Sequence, residues 1–255
     1  MTVFAGYSRY YDLLYRDKDY AGEARYVADI LRRHAPSATT ILEIGSGTGA
    51  HAAQFAQLGF DVVGVDLSEG MLEAAEARRA ELHRELAARM SFARGDARSV
   101  RIGRHFDAVI SLFHVMSYQT SNADLAAAFS TAREHLSPGG VFLFDCWYGP
   151  AVIRQWPSET VKNLSDDATQ VSRVARPVIH ATRNVVDVNY SVTVTDRITG
   201  ASETLQETHE MRYLFSPEIE LLLAGSGMTL VESRGWMTDR APGFDTWGAC
   251  FVARA

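Results

Sequence analysis

Apolar and polar positions along the first 148 residues form short apolar runs separated by longer segments of helical periodicity. The apolar runs predict five strands, at 41–44, 62–66, 90–93, 108–112 and 141–145. The intervening periodicity predicts helices within 5–34 with a break around 16–19, from residue 50, over 69–88 and over 122–136. Strands that alternate with helices of this length predict an α/β fold, a doubly wound, Rossmann-like parallel sheet.

After residue 148 the pattern changes to a period of two residues. Apolar and polar positions alternate from about 159 to 215, with a polar turn at 196–200, which predicts an antiparallel β ribbon. A helix at 217–224 and strands at 229–236 and 246–253 would then complete the sheet. An insertion of about 60 residues is too long for a simple connection, so we expect it to cover the ligand-binding end of the sheet. The predicted organisation is a helical lid (1–36), a Rossmann-like core (37–148), an inserted antiparallel cap (149–215) and a C-terminal helix with two closing strands (216–255).

A glycine-rich turn joins the first predicted strand to the helix that begins at Ala50. Glu43 precedes the turn, and Asp66 ends the second strand 21 positions after Gly45. Glycines let the backbone approach a ligand, and an acid at the end of the second strand can accept both hydroxyls of a ribose. A carboxylate at position 43 would repel a pyrophosphate but suits a ligand with a cationic centre and an amino-acid tail. The turn consists of Gly45, Ser46, Gly47, Thr48 and Gly49.

This turn and its acid resemble the first two motifs of class I S-adenosylmethionine (SAM) methyltransferases. Three further segments, 95–97, 106–110 and 136–140, occur in the order that this family has. The resemblance covers roughly residues 5–146 and the C-terminal end. It implies a methyltransferase with SAM as cofactor and S-adenosyl-L-homocysteine as product.

The resemblance also implies roles in cofactor binding. Glu43 and the backbone of the turn would hold the methionine part of SAM, and Asp66 would bind the ribose. The adenine would contact Leu67, Met71, Asp96 and Ala97. Leu112 begins a segment that passes beneath the transferable methyl group in this family. N-terminal tyrosines fold over SAM in related enzymes, and we expect Tyr11 to do so, although core packing also explains the stripe Tyr7, Tyr10, Tyr11 and Tyr15.

Methyl transfer from a sulfonium is an in-line displacement that requires neither a covalent intermediate nor a metal. A base helps when the acceptor must lose a proton. The candidates for that base are His114, Tyr118 and His209. His114 and Tyr118 follow the fourth strand, at the end where the methyl group is expected, and packing in the core is the alternative for each.

Candidate acceptor-binding residues are Tyr118 and side chains at the end of the fifth strand, in the insertion and in the closing strand at 229–236. His209, Met211 and Tyr213 share one face of a strand, and Thr208, Glu210 and Arg212 share the other. This pattern fits a pocket wall that includes His209 and Arg212. It also fits a solvated strand edge. Aromatic residues that could stack on a sugar or nucleobase, or pack in the core, are Trp147, Tyr148 and Trp236.

Within the methyltransferases, the chain resembles the N-methyltransferases of nucleotide-linked deoxyaminosugars. The shared pattern includes Arg-Arg-His at 32–34, the aromatic end of the fifth strand at 145–148 and Glu-x-His at 207–209. Those enzymes have a histidine near the acceptor where this chain has Tyr118. We therefore expect SAM-dependent methylation of a small molecule, at the amino group of a nucleotide-linked sugar. The alternatives are O-methylation of a sugar or secondary metabolite and, from another class, a SAM-binding scaffold without activity.

Charge and composition narrow the remaining possibilities. A net charge of −6 argues against a nucleic-acid substrate, and no apolar run approaches the ~20 residues of a membrane span. The first residues resemble no secretion signal, and two cysteines in separate strands predict a cytoplasmic protein without a disulfide framework. No spacing typical of a metal site is present. The ribbon could cover the site or pair with a second subunit in a homodimer.

Overall fold

The computed structural model describes residues 8–255; Tyr7 and the side chain of Tyr10 lie outside the described part. The helices are α1 (Ser8–Leu14), α2 (Tyr20–His34), α3 (Ala50–Gln57), α4 (Glu69–Glu81), α5 (Arg84–Ala87), α6 (Asn122–Glu134), α7 (Gly149–Gln155) and α8 (Ser216–Gly225), with a short 3₁₀ helix at Val115–Tyr118. The strands are β1 (Thr40–Ile44), β2 (Asp61–Asp66), β3 (Met90–Arg94), β4 (Phe106–Ser111), β5 (Leu136–Tyr148), β6 (Thr160–Ser165), β7 (Thr169–His180), β8 (Val185–Asp196), β9 (Ser202–Leu214), β10 (Thr229–Gly235) and β11 (Gly248–Arg254).

The central sheet has the strand order β3-β2-β1-β4-β5. These five strands are parallel. Next to β5 lies β11, which is antiparallel to it, and β10 pairs with the outer side of β11. The order reverses between β1 and β4, and ligands bind at such a point beyond the carboxyl ends of the strands.

Helices cover both faces of this sheet. On one face α2 and α3 pack on the strands around Leu31, Ile41 and Phe55. On the other face α6 and α8 pack around Phe129 and Phe144. The predicted doubly wound α/β fold is confirmed, because buried strands with apolar residues on both faces require helices on both sides.

The insertion forms an antiparallel ribbon in which β6, β7, β8 and β9 pair in sequence order. The end of β9 adds to the central sheet through two parallel pairs, Trp147 with Tyr213 and Tyr148 with Leu214. Helix α1 lies against the ribbon, where Leu14 packs with Val171 and Val192. The predicted ribbon is therefore present, and it meets the N-terminal helix as well as the sheet. The predicted division at residues 36, 148 and 215 stays a prediction.

Several element ends differ from the predicted ones. Helix α4 ends at Glu81, not near residue 88, because Leu82 adopts an extended backbone and packs against the core. Helix α6 ends at Glu134, since Leu136 already pairs with Phe106 as the first residue of β5. Helix α7 was not predicted.

Two further findings concern the described residues. No helix among residues 8–255 combines the length and apolar character needed to cross a membrane. Cys146 and Cys250 are buried and are not joined in a disulfide.

Candidate active site

A cavity of about 680 Å³ lies at the carboxyl ends of the five parallel strands. From the core it is lined by Gly45, Gly47, Val65, Asp66, Leu67, Ser68, Met71, Gly95, Asp96, Ala97, Arg98, Leu112, Phe113, His114, Val115, Tyr118, Gln119 and Trp147. The remaining lining residues are Tyr11, Tyr15, Tyr190, His209, Met211 and Trp247. The cavity therefore has a floor formed by the core, and further walls that come from α1, the ribbon and the segment before β11.

The glycine turn presents open backbone to the cavity. Gly45, Gly47 and Gly49 have φ values of +77°, +53° and +71°, a region that favours glycine. A Cβ atom at Gly45 would lie 2.4 Å from Val115, whereas at Gly47 it would meet no described atom within 4 Å. The turn thus leaves space beside Gly47 into which a ligand can come close to the main chain.

Asp66 is held at the edge of this space. Its carboxylate accepts hydrogen bonds from the backbone N–H of Gly47, at 2.8 Å, and of Ser68, at 2.9 Å. Burial raises the pKa of Asp66, although these backbone hydrogen bonds act in the opposite direction. The carboxylate is oriented before any ligand binds, as a ribose-binding acid requires.

Glu43, Ser46 and Gly49 lie outside the cavity wall. Glu43 is 1% exposed, and its Oε2 atom has no hydrogen-bond partner among the described residues. Burial, with repulsion from Asp66, raises the pKa of Glu43 to about 8. An unsatisfied buried carboxyl group beside a ligand cavity favours a ligand with positive charge.

Another part of the cavity wall consists of the residues predicted to surround the adenine. Leu67, Met71 and Ala97 provide apolar surface. Asp96 accepts hydrogen bonds from the backbone and side chain of Arg98, which lower its pKa. Arg98 also lines the cavity and was not predicted.

The floor of the cavity is a strained turn after β4. Phe113 and His114 both have positive φ, 62° and 65°, which is uncommon for residues other than glycine. Buried Asp145 accepts a hydrogen bond from the His114 backbone N–H at 3.1 Å, and its Oδ2 lies 2.6 Å from His114 Nδ1. Strain of this kind persists only where the surroundings impose it, and here Asp145 imposes it next to the cavity.

Tyr118 and His209 meet across the cavity although 91 positions separate them. Tyr118 Oη lies 2.8 Å from His209 Nδ1, and His209 Nε2 lies 3.2 Å from Glu207 Oε2. His209 is 3% exposed. The structure thus brings two of the three predicted base candidates into one hydrogen-bonded group, and His114 lines the same cavity.

Helix α1 is attached to the core beside the glycine turn. Asp12 accepts a hydrogen bond from Thr48 Oγ1 at 2.8 Å and pairs with Arg78 at 2.7 Å. Its neighbour Tyr11 and the following Tyr15 line the cavity, with ring centroids 4.7 Å apart. The predicted lid residue Tyr11 therefore lies at the cavity, and Tyr15 accompanies it.

Of the predicted acceptor-binding residues, Trp147, Tyr118 and His209 line the cavity, and three others do not. Tyr148 packs in the core. Arg212 is 6% exposed and joins the ribbon to α8 through an ion pair with Glu218. Trp236 lines a neighbouring depression that also contains His114 and Trp247.

Sequence reasoning did not single out several residues of the wall. The sequence pattern placed Met211 on the strand face of His209 but did not name it as part of the site. Tyr190 lies opposite Glu207 in the β8–β9 ladder, and the period of two could have placed it on that face as well. For Trp247 and Gln119 the sequence offers no such signal, because tertiary contacts alone bring them to the cavity.

Comparison with known proteins agrees with this geometry. Residues 41–140 match a family model described as a methyltransferase domain. A dTDP-3-amino-3,4,6-trideoxy-alpha-D-glucopyranose N,N-dimethyltransferase from Streptomyces venezuelae is 33% identical over 235 residues, which cover 90% of this chain and 93% of the relative. The chain belongs to the class I SAM-dependent methyltransferases. The methyltransferase is also similar to the crystal structure of Streptomyces venezuelae DesVI, with a TM-score of 0.80, 29% identity and 98% of both chains covered.

SAM is the cofactor of this methyltransferase. A SAM-bound amino pentose methyltransferase from Micromonospora echinaspora is 26% identical, with a TM-score of 0.76 and 100% of this chain and 98% of that chain covered. The residues present fit SAM. The space beside Gly47 admits a ligand, Asp66 is oriented toward it, and the unsatisfied Glu43 carboxyl group favours a positively charged ligand.

Proposed function

We propose that this methyltransferase methylates the amino group of a nucleotide-linked sugar. The observation that carries the proposal is the Tyr118–His209 pair, a hydrogen-bonded phenol and imidazole that both line the cavity. A nearly full-length relative is named for N,N-dimethylation of a dTDP-linked aminosugar. A relative from Streptomyces fradiae, 30% identical over 86% of this chain and 82% of its own length, is named for the same reaction on another dTDP-linked aminosugar.

Bound SAM supplies a sulfonium methyl group that an amine nitrogen can accept. The residues of this chain orient the acceptor and exclude water. Trp147 and Trp247 offer aromatic surface for a sugar ring, and Tyr11 of α1 and the following Tyr15 line the cavity beside them. Holding the reacting atoms in line can supply about 7–11 kcal/mol of barrier reduction. Tyr118 and His209 are the groups we propose to accept the proton that the amine loses.

The test is a mass-based assay with SAM and a panel of dTDP-linked 3-amino and 4-amino sugars, each beside its hydroxyl counterpart. We expect a mass gain of one or two methyl groups on at least one amino sugar and none on the matched hydroxyl sugar. A gain on hydroxyl sugars alone would contradict N-methylation and indicate an O-methyltransferase. An enzyme that binds SAM but leaves every panel member unchanged would contradict the proposal that the acceptor is a nucleotide-linked sugar.

We also propose a cytoplasmic enzyme that forms a homodimer and binds no nucleic acid. The free, buried thiols of Cys146 and Cys250 support a cytoplasmic location. The negative net charge supports the absence of nucleic-acid binding. The outermost ribbon strand, β6, exposes Val161, which supports pairing of this edge with a second subunit. Sedimentation of the purified enzyme tests the dimer, and a monomer at micromolar concentration would contradict it.

A further inference from the structure

Glu207 lies directly behind the Tyr118–His209 pair. It precedes His209 by two positions on β9, so both side chains project from the same face of the strand. Glu207 Oε2 lies 3.2 Å from His209 Nε2, and the Glu207 side chain is 15% exposed. Glu207 is not among the residues that line the cavity. It can act on a bound acceptor through His209, which does line the cavity.

The chemistry of the three groups sets the direction of their hydrogen bonds. A carboxylate only accepts, so His209 Nε2 carries the hydrogen that lies toward Glu207. A neutral imidazole has one N–H, so Nδ1 is then an acceptor and the Tyr118 hydroxyl donates to it at 2.8 Å. A phenol oxygen that donates its hydrogen keeps its capacity to accept. On the cavity side, Tyr118 is thereby prepared to accept an N–H.

Packing orients the imidazole independently of Glu207. The ring of Tyr190 meets that of His209 edge to face, with centroids 4.9 Å apart and an interplanar angle of 86°. His209 lies opposite Val188 in the β8–β9 ladder and is almost fully buried. Because these contacts already hold the ring, the Glu207 carboxylate has two other effects. It fixes the proton of His209 on Nε2, and it places a negative charge beside the ring.

We propose that Glu207 is a positioning residue that makes Tyr118 the hydrogen-bond acceptor for the amino group of the substrate and supports proton removal from it. The proposal rests on the proposed function. An N–H proton of the substrate ammonium moves to Tyr118 Oη while the Tyr118 hydroxyl proton moves to His209 Nδ1. The amine is left neutral with its lone pair, and His209 becomes an imidazolium whose charge Glu207 balances. Charge and protons are conserved, and no other reactant is needed.

The test compares Glu207→Gln with Glu210→Gln, a matched change on the same strand but on the opposite, exposed face, where Glu210 pairs with Arg183. An amide at 207 removes the charge and permits the other tautomer of His209. We expect kcat for the amino sugar to fall about 10-fold to 100-fold in Glu207→Gln, with KM and the Kd for SAM within about threefold of wild type. Glu210→Gln should keep the wild-type kcat.

Two further variants distinguish support of proton transfer through Tyr118 and His209 from a purely structural role of Glu207. Glu207→Asp keeps the charge and should retain more kcat than Glu207→Gln. In a Tyr118→Phe background, Glu207→Gln should have little additional effect, because both changes interrupt the same path. Equal losses in the Asp and Gln variants, additive losses in the double variant, or an unchanged kcat in Glu207→Gln would overturn the proposal. A wild-type enzyme inactive on every amino sugar would instead overturn the proposed function.

Discussion

Individual residues at the cavity are held in conformations that they would not adopt in a flexible chain. The glycine turn requires positive φ at three glycines, and the floor requires it at Phe113 and His114. Asp66 and Asp145 bind backbone N–H groups in these two turns. At the scale of single residues, the site is therefore prepared by acids that support the local backbone, and substitution of such an acid should have measurable effects.

Asp66→Asn should weaken SAM binding. Because the variant removes the charged acceptor that the ribose hydroxyls would use, we expect the Kd to rise about 10-fold or more, as measured by isothermal titration calorimetry. Asp61→Asn is the control, since Asp61 begins the same strand and is exposed. A Kd for Asp66→Asn within twofold of wild type would contradict the assignment of the ribose site.

Glu43→Gln should change how stability depends on pH in the SAM-free enzyme. The pKa of Glu43 is about 8 in the folded protein, against 4.5 as its ordinary value, so the folded state binds more protons between these limits. Its contribution to stability therefore falls as pH rises from about 4.5 to about 8. Glu43→Gln removes this dependence. The Tm of the variant minus the Tm of wild type should therefore increase as pH rises from about 4.5 to about 8. Glu220→Gln, at an exposed site, should give no such trend, and parallel curves for Glu43→Gln and wild type would refute the shift.

At the scale of elements, helix α1 connects the two halves of the molecule. Its C-terminal Leu14 packs with the ribbon, and Lys162 of β6 donates a hydrogen bond to the Leu14 carbonyl at 2.6 Å. On the other side Asp12 contacts Thr48 and Arg78. Because Tyr11 of α1 and Tyr15 directly after the helix line the cavity, the attachment of α1 should influence how tightly the cofactor is held.

Asp12→Ala should weaken SAM binding with little loss of stability. The Asp12–Arg78 pair is partly exposed, with side-chain exposures of 53% and 32%, so it contributes at most about 1 kcal/mol to folding. Loss of that attachment would raise the Kd for SAM up to about fivefold. The control is Asp29→Ala, which removes a more exposed pair with Arg32 on α2. If both variants bind SAM as wild type does, α1 does not contribute to cofactor binding.

At the scale of the whole molecule, the site is assembled from parts that are distant along the chain. The core supplies the glycine turn and the strained floor, α1 and the residue after it supply Tyr11 and Tyr15, and the ribbon supplies His209 and Tyr190. The two-residue pairing of β9 with β5 joins the ribbon to the sheet at Trp147 and Tyr148. This junction brings the acceptor wall next to the carboxyl ends of the parallel strands.

Local patterns predicted much of this arrangement. The alternation of strands and helices could be predicted from the apolar runs and the helical periodicity, which reflect short-range preferences. The turn from Gly45 to Gly49 was predictable because only glycine tolerates its backbone. Helix ends were less predictable: α4 stops early because Leu82 packs in the core, a contact that sequence periodicity does not contain. Arg212 was predicted at the acceptor site, yet its neighbours Glu218 and Asn122 hold it elsewhere.

The sequence by itself determined the fold class, the glycine turn and the methyltransferase family, because these depend on neighbouring residues and on fixed spacings. Only the tertiary structure decided which side chains share the cavity. Tyr118 contacts His209, which lies 91 positions later in the chain. Trp247 lines the cavity from the segment before β11, and Tyr148 packs in the core. Such contacts depend on how β9 joins β5 and how α1 spans core and ribbon, and a one-residue change in the register of β9 would move His209 to the other face of the ribbon.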